Sequence, residues 1–199
     1  LRQWEPQRKA FQYGCFPMVP WAGRLGDATL TVGEKQYALP ANKPPHALHG
    51  MACYSSWESV EHKADTLKLR MPLGAPWPWQ GEVLQTLTLE DDALILRLEI
   101  HTMSETFPAS AGWHPWFVKQ LGQQNEEDEL LVCFKANWQE EAGNNELPTG
   151  NKIPPQSGPW DDCFGFNDGL NVRLQWPGKL SMTMTSSARS EERRVGKEC

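Results

Sequence analysis

The sequence lacks the features that mark membrane-spanning, nucleic-acid-binding and secreted proteins. No apolar run approaches the roughly 20 residues that a bilayer-spanning helix needs, so we expect no membrane partner. The formal net charge is -6 and the body of the chain holds no basic block, which argues against a nucleic-acid partner. No secretory signal is visible after Leu1. These absences predict a soluble, cytoplasmic protein.

Paired cysteine motifs are also missing. None of the five cysteines belongs to a CxxC motif, and their number is odd. A scattered, odd set is typical of free thiols in a reducing compartment, and it argues against a disulfide framework or a thiolate zinc site. The cysteines are Cys15, Cys53, Cys133, Cys163 and Cys199.

Long amphipathic helix patterns are absent, and the periodic segments alternate as strands do. Apolar residues recur at every second position in residues 94–100, 170–176 and 180–184. Half-buried antiparallel strands have this period. Turn signals separate further strand pairs at Gly33-Glu34, Ala64-Asp65 and Asp91-Asp92. The chain is therefore predicted to be all-β, a large antiparallel β-sandwich.

The chain is long enough for one domain with a sizeable core, which we place at residues 1–188. Two polar stretches, residues 122–129 and 142–159, are predicted to be long surface loops of that domain. The last residues, 189–199, crowd charged side chains directly after a regular strand pattern. This segment, RSEERRVGKEC, resembles vector-derived sequence, and we expect it to be a tail outside the fold.

Two stretches set an ionisable residue among rings and prolines. SAGWHPWFVKQL (residues 110–121) holds His114 between Trp113 and Trp116, and we expect the two indoles to form an aromatic clamp. GCFPMVPWAGRLGD (residues 14–27) contains Arg24, whose guanidinium offers five hydrogen-bond donors. The ten tryptophans exceed what one binding site needs, so most are expected in the core.

Two further stretches add polar groups. PPHALHG supplies His46 and His49 with a glycine that would let the backbone pass close to a ligand. GPWDDCFGF supplies Asp161 and Asp162 between aromatic residues. Flat rings suit the C–H faces of a sugar, and charged hydrogen-bonding groups suit its hydroxyls. The four stretches together therefore favour a sugar site.

Each candidate also has a structural alternative. His114 could be a buried histidine bound to a backbone carbonyl, and Arg24 could be an ion-pair partner. The histidines of residues 46–49 could cap a turn, and the aspartates of residues 161–162 are common turn residues. A metal site built from the HxxH spacing and His114 is weakly supported because zinc ligands usually lie in closer groups. We predict no metal.

Four motifs follow one another along the chain: FPMVPWAGRLGD, HALHG, AGWHPWF and WDDCFGF. In this order they resemble the galactose mutarotase-like family, which comprises the aldose 1-epimerases and their hexose-6-phosphate relatives. The similarity extends over residues 10–188. It implies the family's large antiparallel supersandwich, which agrees with the strand pattern.

The resemblance also implies roles for individual residues. Arg24 and His49 match the family's sugar-binding arginine and histidine, His114 matches its general acid, and Asp162 matches the aspartate that binds sugar hydroxyls. His46 matches no assigned residue. The implied reaction interconverts the α and β anomers of a free aldohexose: a base removes the anomeric proton, an acid protonates the ring oxygen, and the opened sugar closes on its other face. Imidazole suits the acid role at neutral pH, and no cofactor is needed.

The sequence departs from the family pattern in three places. No residue matches the glutamate base that the family carries on a strand near the C-terminus. The strands that usually precede FPMVPW are absent or shortened, and Gly23 stands where the family commonly has asparagine. We therefore expect an incomplete sandwich, cut at both ends, that binds sugar poorly and turns over little or not at all.

Three other functions remain open. A hexose-6-phosphate 1-epimerase would need further cationic groups near the phosphate, and Arg24 is the clear basic residue of the motifs. A non-catalytic carbohydrate-binding sandwich would bind sugar without changing it. A structural or interaction domain would tolerate the loss of His114. Neither the identity of the sugar nor the oligomeric state follows from the sequence.

Overall fold

The computed structural model describes residues 9–103, 105–122 and 129–186, together with the backbone of residues 192–195. Contacts divide the chain into two compact units, Leu1–Trp116 and Phe117–Cys199. Each unit has its own hydrophobic core. The assignment of one domain to residues 1–188 stays a prediction.

The strands of the first unit pair with one another in antiparallel fashion. β1 pairs with β10, β2 with β5 and β3 with β4, while β6 to β9 form a four-stranded meander. No helix in the described part of the chain has the length and apolar character needed to cross a membrane. The strands are β1 (Cys15–Met18), β2 (Arg24–Leu25), β3 (Thr29–Val32), β4 (Lys35–Ala38), β5 (Ala47–Leu48), β6 (Glu58–His62), β7 (Thr66–Leu73), β8 (Gly81–Leu89), β9 (Leu94–Thr102) and β10 (Gly112–Pro115). Short 3-10 turns occupy Ala10–Gln12, Gly26–Ala28 and Ala52–Tyr54.

The β6–β9 meander carries an apolar face that meets the core at one end. The register aligns Met71, Val83 and Ile100 across three strands, and the first two are fully buried. Leu98 packs against the same core, whereas Leu94, at the far end of β9, is 58% exposed. The alternation of residues 94–100 thus predicted the strand correctly, but the core covers its apolar face only toward Ile100.

Aromatic side chains fill the core of the first unit. Trp21 stacks on Trp77 with ring centroids 5.8 Å apart, and Trp77 contacts Trp79 at 5.2 Å. Phe107 lies against both Trp77 and Trp79. Because aromatic rings bury large areas and favour tilted or offset contacts, this cluster stabilises the unit strongly. These tryptophans serve the core, as expected.

The second unit contains two antiparallel sheets. One has the strand order β13-β12-β14-β17 and the other β11-β15-β16. Along β15, Val172, Leu174 and Trp176 point into the core while the intervening residues are exposed, so the predicted alternation is confirmed. The strands are β11 (Leu131–Phe134), β12 (Trp138–Ala142), β13 (Pro148–Ile153), β14 (Asp162–Gly165), β15 (Asn171–Trp176), β16 (Leu180–Thr185) and β17 (Glu192–Val195).

The prediction that residues 142–159 form a long loop is wrong. Residues 148–153 form β13, which pairs with β12 at the edge of its sheet. Only Ile153 of this strand is partly buried, and the other residues are exposed and are polar, proline or glycine. An edge strand tolerates proline and glycine and needs no apolar face, so it gives no alternating signal. Of the other predicted loop, residues 123–128 lie outside the described residues.

Gly165 makes room for an aromatic ring between β12 and β14. It lies opposite Trp138 in the strand register, and a Cβ atom at position 165 would come within 1.8 Å of the indole. Lys152, on the neighbouring β13, places its Nζ 3.9 Å from the centroid of the same ring, a cation–π distance. One glycine therefore lets three strands share a single indole.

Part of the charged C-terminal segment pairs with a strand of the second unit. β17 runs antiparallel to β14, with Glu192 opposite Gly165 and Val195 opposite Asp162. Residues 187–191 and 196–199 lie outside the described residues. The assignment of 189–199 as a tail foreign to the fold stays a prediction.

Cys53 is predicted to resist thiol reagents at neutral pH, whereas Cys133 should react. Burial raises the pKa of Cys53 from 9.0 to about 11, so its thiol stays protonated and the reactive thiolate is about a hundredfold scarcer. Cys133 is a free thiol with an exposed side chain. Maleimide labelling followed by peptide mass spectrometry should modify Cys133 first, and labelling of Cys53 should rise as the pH approaches its pKa. Equal labelling rates near neutral pH would contradict the burial.

Candidate active site

The pairing of two short strands fixes the position of His114. β1 and β10 run antiparallel with Phe16 directly opposite His114. The two rings are stacked, with centroids 4.6 Å apart and planes 11° from parallel. Phe16 is buried, and Nδ1 of His114 is buried as well. The imidazole is therefore held flat against a buried phenyl ring.

Two more rings surround the imidazole of His114. His49 meets it edge-on at 5.2 Å between centroids, and Trp116 lies tilted against it at 5.0 Å. The Trp116 indole is anchored because its Nε1–H donates to the carbonyl of Phe11 at 3.0 Å. The expected clamp of two tryptophans is thus half right. Trp113 lies opposite Pro17, and strand alternation turns it to the other face of β10, so Phe16 takes its place.

Arg24 is tied to His49 through the backbone. β2 pairs with β5, which sets Arg24 opposite Leu48. The amide N–H of Gly23 donates to His49 Nδ1 at 3.2 Å, and the amide N–H of His49 donates back to the Gly23 carbonyl at 2.9 Å. This reciprocal pair fixes the residue before Arg24 against the histidine. The structure therefore places Arg24, His49 and His114 in one connected region of the first unit.

His46 is a buried residue that is hydrogen-bonded to the turn after Arg24. Its side chain is 5% exposed, and its Nδ1 accepts a hydrogen bond from the amide N–H of Asp27 at 3.1 Å. His46 directly precedes β5, and Asp27 lies two residues beyond β2. The structure thus attaches His46 to the turn that follows the strand carrying Arg24.

Backbone strain surrounds these residues. Asp27, Ala28 and His49 have φ of 47°, 50° and 58°, in the left-handed region. Residues with a side chain avoid this region because it costs about 1–2 kcal/mol per residue. Strained residues of this kind collect at functional sites. No pattern in the sequence predicts left-handed backbone at these three positions, so the strain is visible only in the structure.

Gly50 approaches the backbone of Val19, not a ligand. Its φ is +67°, and a Cβ atom there would lie 2.1 Å from the Val19 carbonyl oxygen. The same oxygen accepts a hydrogen bond from the amide N–H of Met51 at 2.9 Å. The expectation that this glycine opens space for a ligand is corrected accordingly: the space is already taken by another part of the chain.

Asp161 and Asp162 belong to the second unit. Asp162 is the first residue of β14 and is partly buried, while Asp161 is exposed. The amide N–H of Asp161 donates to Oδ2 of Asp162 at 3.2 Å, the kind of local bond common among turn aspartates. The sugar-binding role of Asp162 stays a prediction.

The geometry of this region also bears on metal binding and on cysteine nucleophilicity. In the described residues no group of three histidine, cysteine or carboxylate side chains is placed to hold a metal ion. The HxxH histidines already engage Nδ1 with backbone amides. Cys15, the first residue of β1, is a weak nucleophile because desolvation raises its pKa to about 11. The groups suited to proton transfer here are the imidazoles.

Comparison with solved structures defines the fold class. A galactose mutarotase-like protein of Clostridium acetobutylicum matches with a TM-score of 0.72 at 17% identity, covering 82% of this chain and 58% of that one. A galactose 1-epimerase of Lactobacillus acidophilus NCFM matches with a TM-score of 0.61 at 15% identity, covering 80% of this chain and 57% of that one. The chain therefore has the galactose mutarotase-like fold, which confirms the predicted fold class.

Sequence comparison is more specific. The family model for aldose 1-epimerase matches residues 4–170, and the chain belongs to that family. It is also 31% identical over 120 residues to the uncharacterized protein YphB of Escherichia coli (strain K12), covering 59% of this chain and 41% of that protein. The chain spans less than two thirds of the length of each of these three proteins.

Replacing Gly50 by alanine should destabilise the region around His49 more than a matched glycine replacement elsewhere. Gly50→Ala combines left-handed strain with a clash against Val19, so we expect a loss of about 3 kcal/mol or more in the free energy of unfolding. Gly33→Ala, at φ +59° with open space around it, should lose about 1 kcal/mol. Urea unfolding of both variants measures the difference, and equal losses would contradict the close contact with Val19.

Proposed function

We propose that the site binds an aldohexose and interconverts its anomers by acid-catalysed ring opening, as an aldose 1-epimerase. The observation that carries the proposal is the cluster in which His114 stacks on Phe16 and meets His49 edge-on. A proton-transferring imidazole needs a fixed orientation, and this cluster provides one without a metal or a cofactor. Membership of the aldose 1-epimerase family supports the same reaction.

His114 is proposed as the acid. Its Nδ1 is buried, which leaves Nε2 to meet the sugar. In the forward step the imidazolium form of His114 gives its Nε2 proton to the ring oxygen and becomes neutral imidazole, the bond between that oxygen and C1 breaks, and the electron pair of the anomeric O–H becomes the second bond of the aldehyde. Rotation about C1–C2 and the reverse steps form the other anomer. Imidazole can release and recover this proton near neutral pH.

Arg24 and His49 are proposed to hold the sugar. Because His49 Nδ1 accepts a hydrogen bond from Gly23, the ring proton of the neutral imidazole lies on Nε2, and a sugar hydroxyl facing it must accept. The guanidinium of Arg24 adds further donors. The ring of Trp116, tilted against the imidazole of His114, adds apolar surface suited to C–H groups.

The base and the aspartate complete the proposal. Asp162 is proposed to bind sugar hydroxyls, on the strength of its motif alone. No glutamate of this sequence matches the family's base, so no residue is assigned to remove the anomeric proton. Loss of one member of an acid–base pair lowers the rate by about a hundredfold to ten-thousandfold. We therefore expect sugar binding with slow turnover.

A small carboxylate in solution can act as the base that removes the anomeric proton, which allows a direct test of His114 as the acid. Formate added to the chain should accelerate the interconversion of fresh α-galactose and α-glucose, measured by polarimetry and corrected for formate alone. His114→Gln should reduce the formate-dependent rate by about a hundredfold or more, because the acid is lost. His62→Gln, at an exposed histidine of β6, should leave the rate unchanged. Equal rates in the native chain and His114→Gln would contradict the acid role.

Binding measurements separate the remaining functions. Saturation-transfer NMR should detect galactose or glucose bound to the chain, and Arg24→Ala should weaken that binding. Saturable binding with no formate-dependent rate would favour a non-catalytic carbohydrate-binding protein. A faster rate with glucose 6-phosphate than with glucose would favour the hexose-6-phosphate enzyme. Absence of binding to every sugar would exclude the proposed site.

A further inference from the structure

His46 and His49 hold the backbone on both sides of Arg24. Gly23, the residue before Arg24, donates its amide N–H to His49 Nδ1 at 3.2 Å. Asp27, three residues after Arg24, donates its amide N–H to His46 Nδ1 at 3.1 Å. The two imidazoles thus receive backbone donors from either end of the same short segment, residues 23–27.

Both bonds fix the protonation of the rings. A nitrogen that accepts a hydrogen bond carries no proton, so each neutral imidazole has its hydrogen on Nε2. An imidazolium carries hydrogen on both nitrogens and cannot accept at Nδ1. The arrangement therefore requires both histidines to be neutral and in the Nε2–H form, and only this form keeps the backbone of residues 23–27 attached.

The segment needs such support because its regular pairing is short. β2 has two residues, and its register with β5 ends at Leu25 opposite Ala47. The chain then enters left-handed backbone at Asp27 and Ala28, a conformation that is unfavourable for residues with a side chain. The bond from Asp27 to His46 joins a residue two positions after β2 to the residue directly before β5, at the start of that strained turn.

We propose that His46 is a positioning residue for Arg24: its neutral Nδ1 anchors the turn after β2, so that His46 and His49 together fix the arginine for the sugar. The idea rests on the proposed sugar site, although the anchoring itself does not require a ligand. His46 acts through the backbone, since its side chain is buried and its Nδ1 is engaged with Asp27. It is assigned no contact with the sugar.

Two replacements of His46 distinguish anchoring from simple filling of space. In His46→Asn, the amide oxygen occupies nearly the position of Nδ1 and can accept from Asp27. In His46→Leu, the side chain is apolar and of comparable size but has no acceptor. His62→Leu, at an exposed histidine, is the control. If the side chain at position 46 only fills space, His46→Leu should preserve the turn better than His46→Asn. If it anchors the turn, His46→Asn should preserve it better.

NMR measures the anchor without reference to sugar. In the native chain, long-range nitrogen–hydrogen spectra should show His46 Nδ1 without a proton, and the Asp27 amide should exchange slowly with solvent. His46→Leu should speed that exchange by about tenfold, as expected for the loss of one hydrogen bond, and His46→Asn should restore most of the protection. A protonated Nδ1 in the native chain, or an Asp27 exchange rate that His46→Leu leaves unchanged, would overturn the proposal.

Sugar titration then tests the link to Arg24. The dissociation constant for galactose should rise about tenfold in His46→Leu, recover in His46→Asn, and stay unchanged in His62→Leu. If His46→Asn binds galactose as weakly as His46→Leu does, the positioning role is overturned. If the native chain binds no sugar while its Asp27 amide is protected through His46, the proposed function fails and the anchor stands. If instead the native chain binds sugar while its Asp27 amide exchanges freely, the anchor fails and the proposed function stands.

Discussion

The site depends on the antiparallel pairing of β1 with β10. Each of these four-residue strands contains a proline, which has no N–H to give to the ladder. Side-chain contacts help to fix the strand register where these hydrogen bonds are missing: Phe16 stacks on His114, and the indole N–H of Trp116 donates to the Phe11 carbonyl. A slip of one residue would turn His114 to the opposite face, away from His49. The stacked pair therefore fixes both the register and the orientation of the imidazole.

Much of the fold could be predicted because it reflects local alternation. The strand at residues 171–176 buries every second side chain, and the pattern is visible in the sequence alone. The strand at residues 148–153 was missed because it lies at a sheet edge and buries almost nothing. A polar edge strand is defined by its partner, and the partner is not part of the local sequence. Prediction from alternation therefore works best where burial is greatest.

The candidate site was predictable in its residue types but not in its contacts. His49 and His114 stood out through their motifs, and they lie in ring contact. Phe16 was missed although it belongs to a motif, because only a tertiary pairing places it against His114. The meaning of Gly50 was misjudged for the same reason, since its close neighbour, Val19, is distant in sequence. Asp162 belongs to the other unit, and its role rests on its motif.

The stacked pair also sets when the site can form during synthesis. Phe16 and His114 are 114 - 16 = 98 positions apart, so the contact closes a long loop of chain. Contacts of such high sequence separation slow folding, because the entropy of loop closure must be lost before the contact forms. A ribosome adding about 5–20 residues per second needs about 5–20 seconds to pass from Phe16 to His114. During that interval β1 has emerged without its partner strand, and a nascent chain must keep this edge from pairing elsewhere.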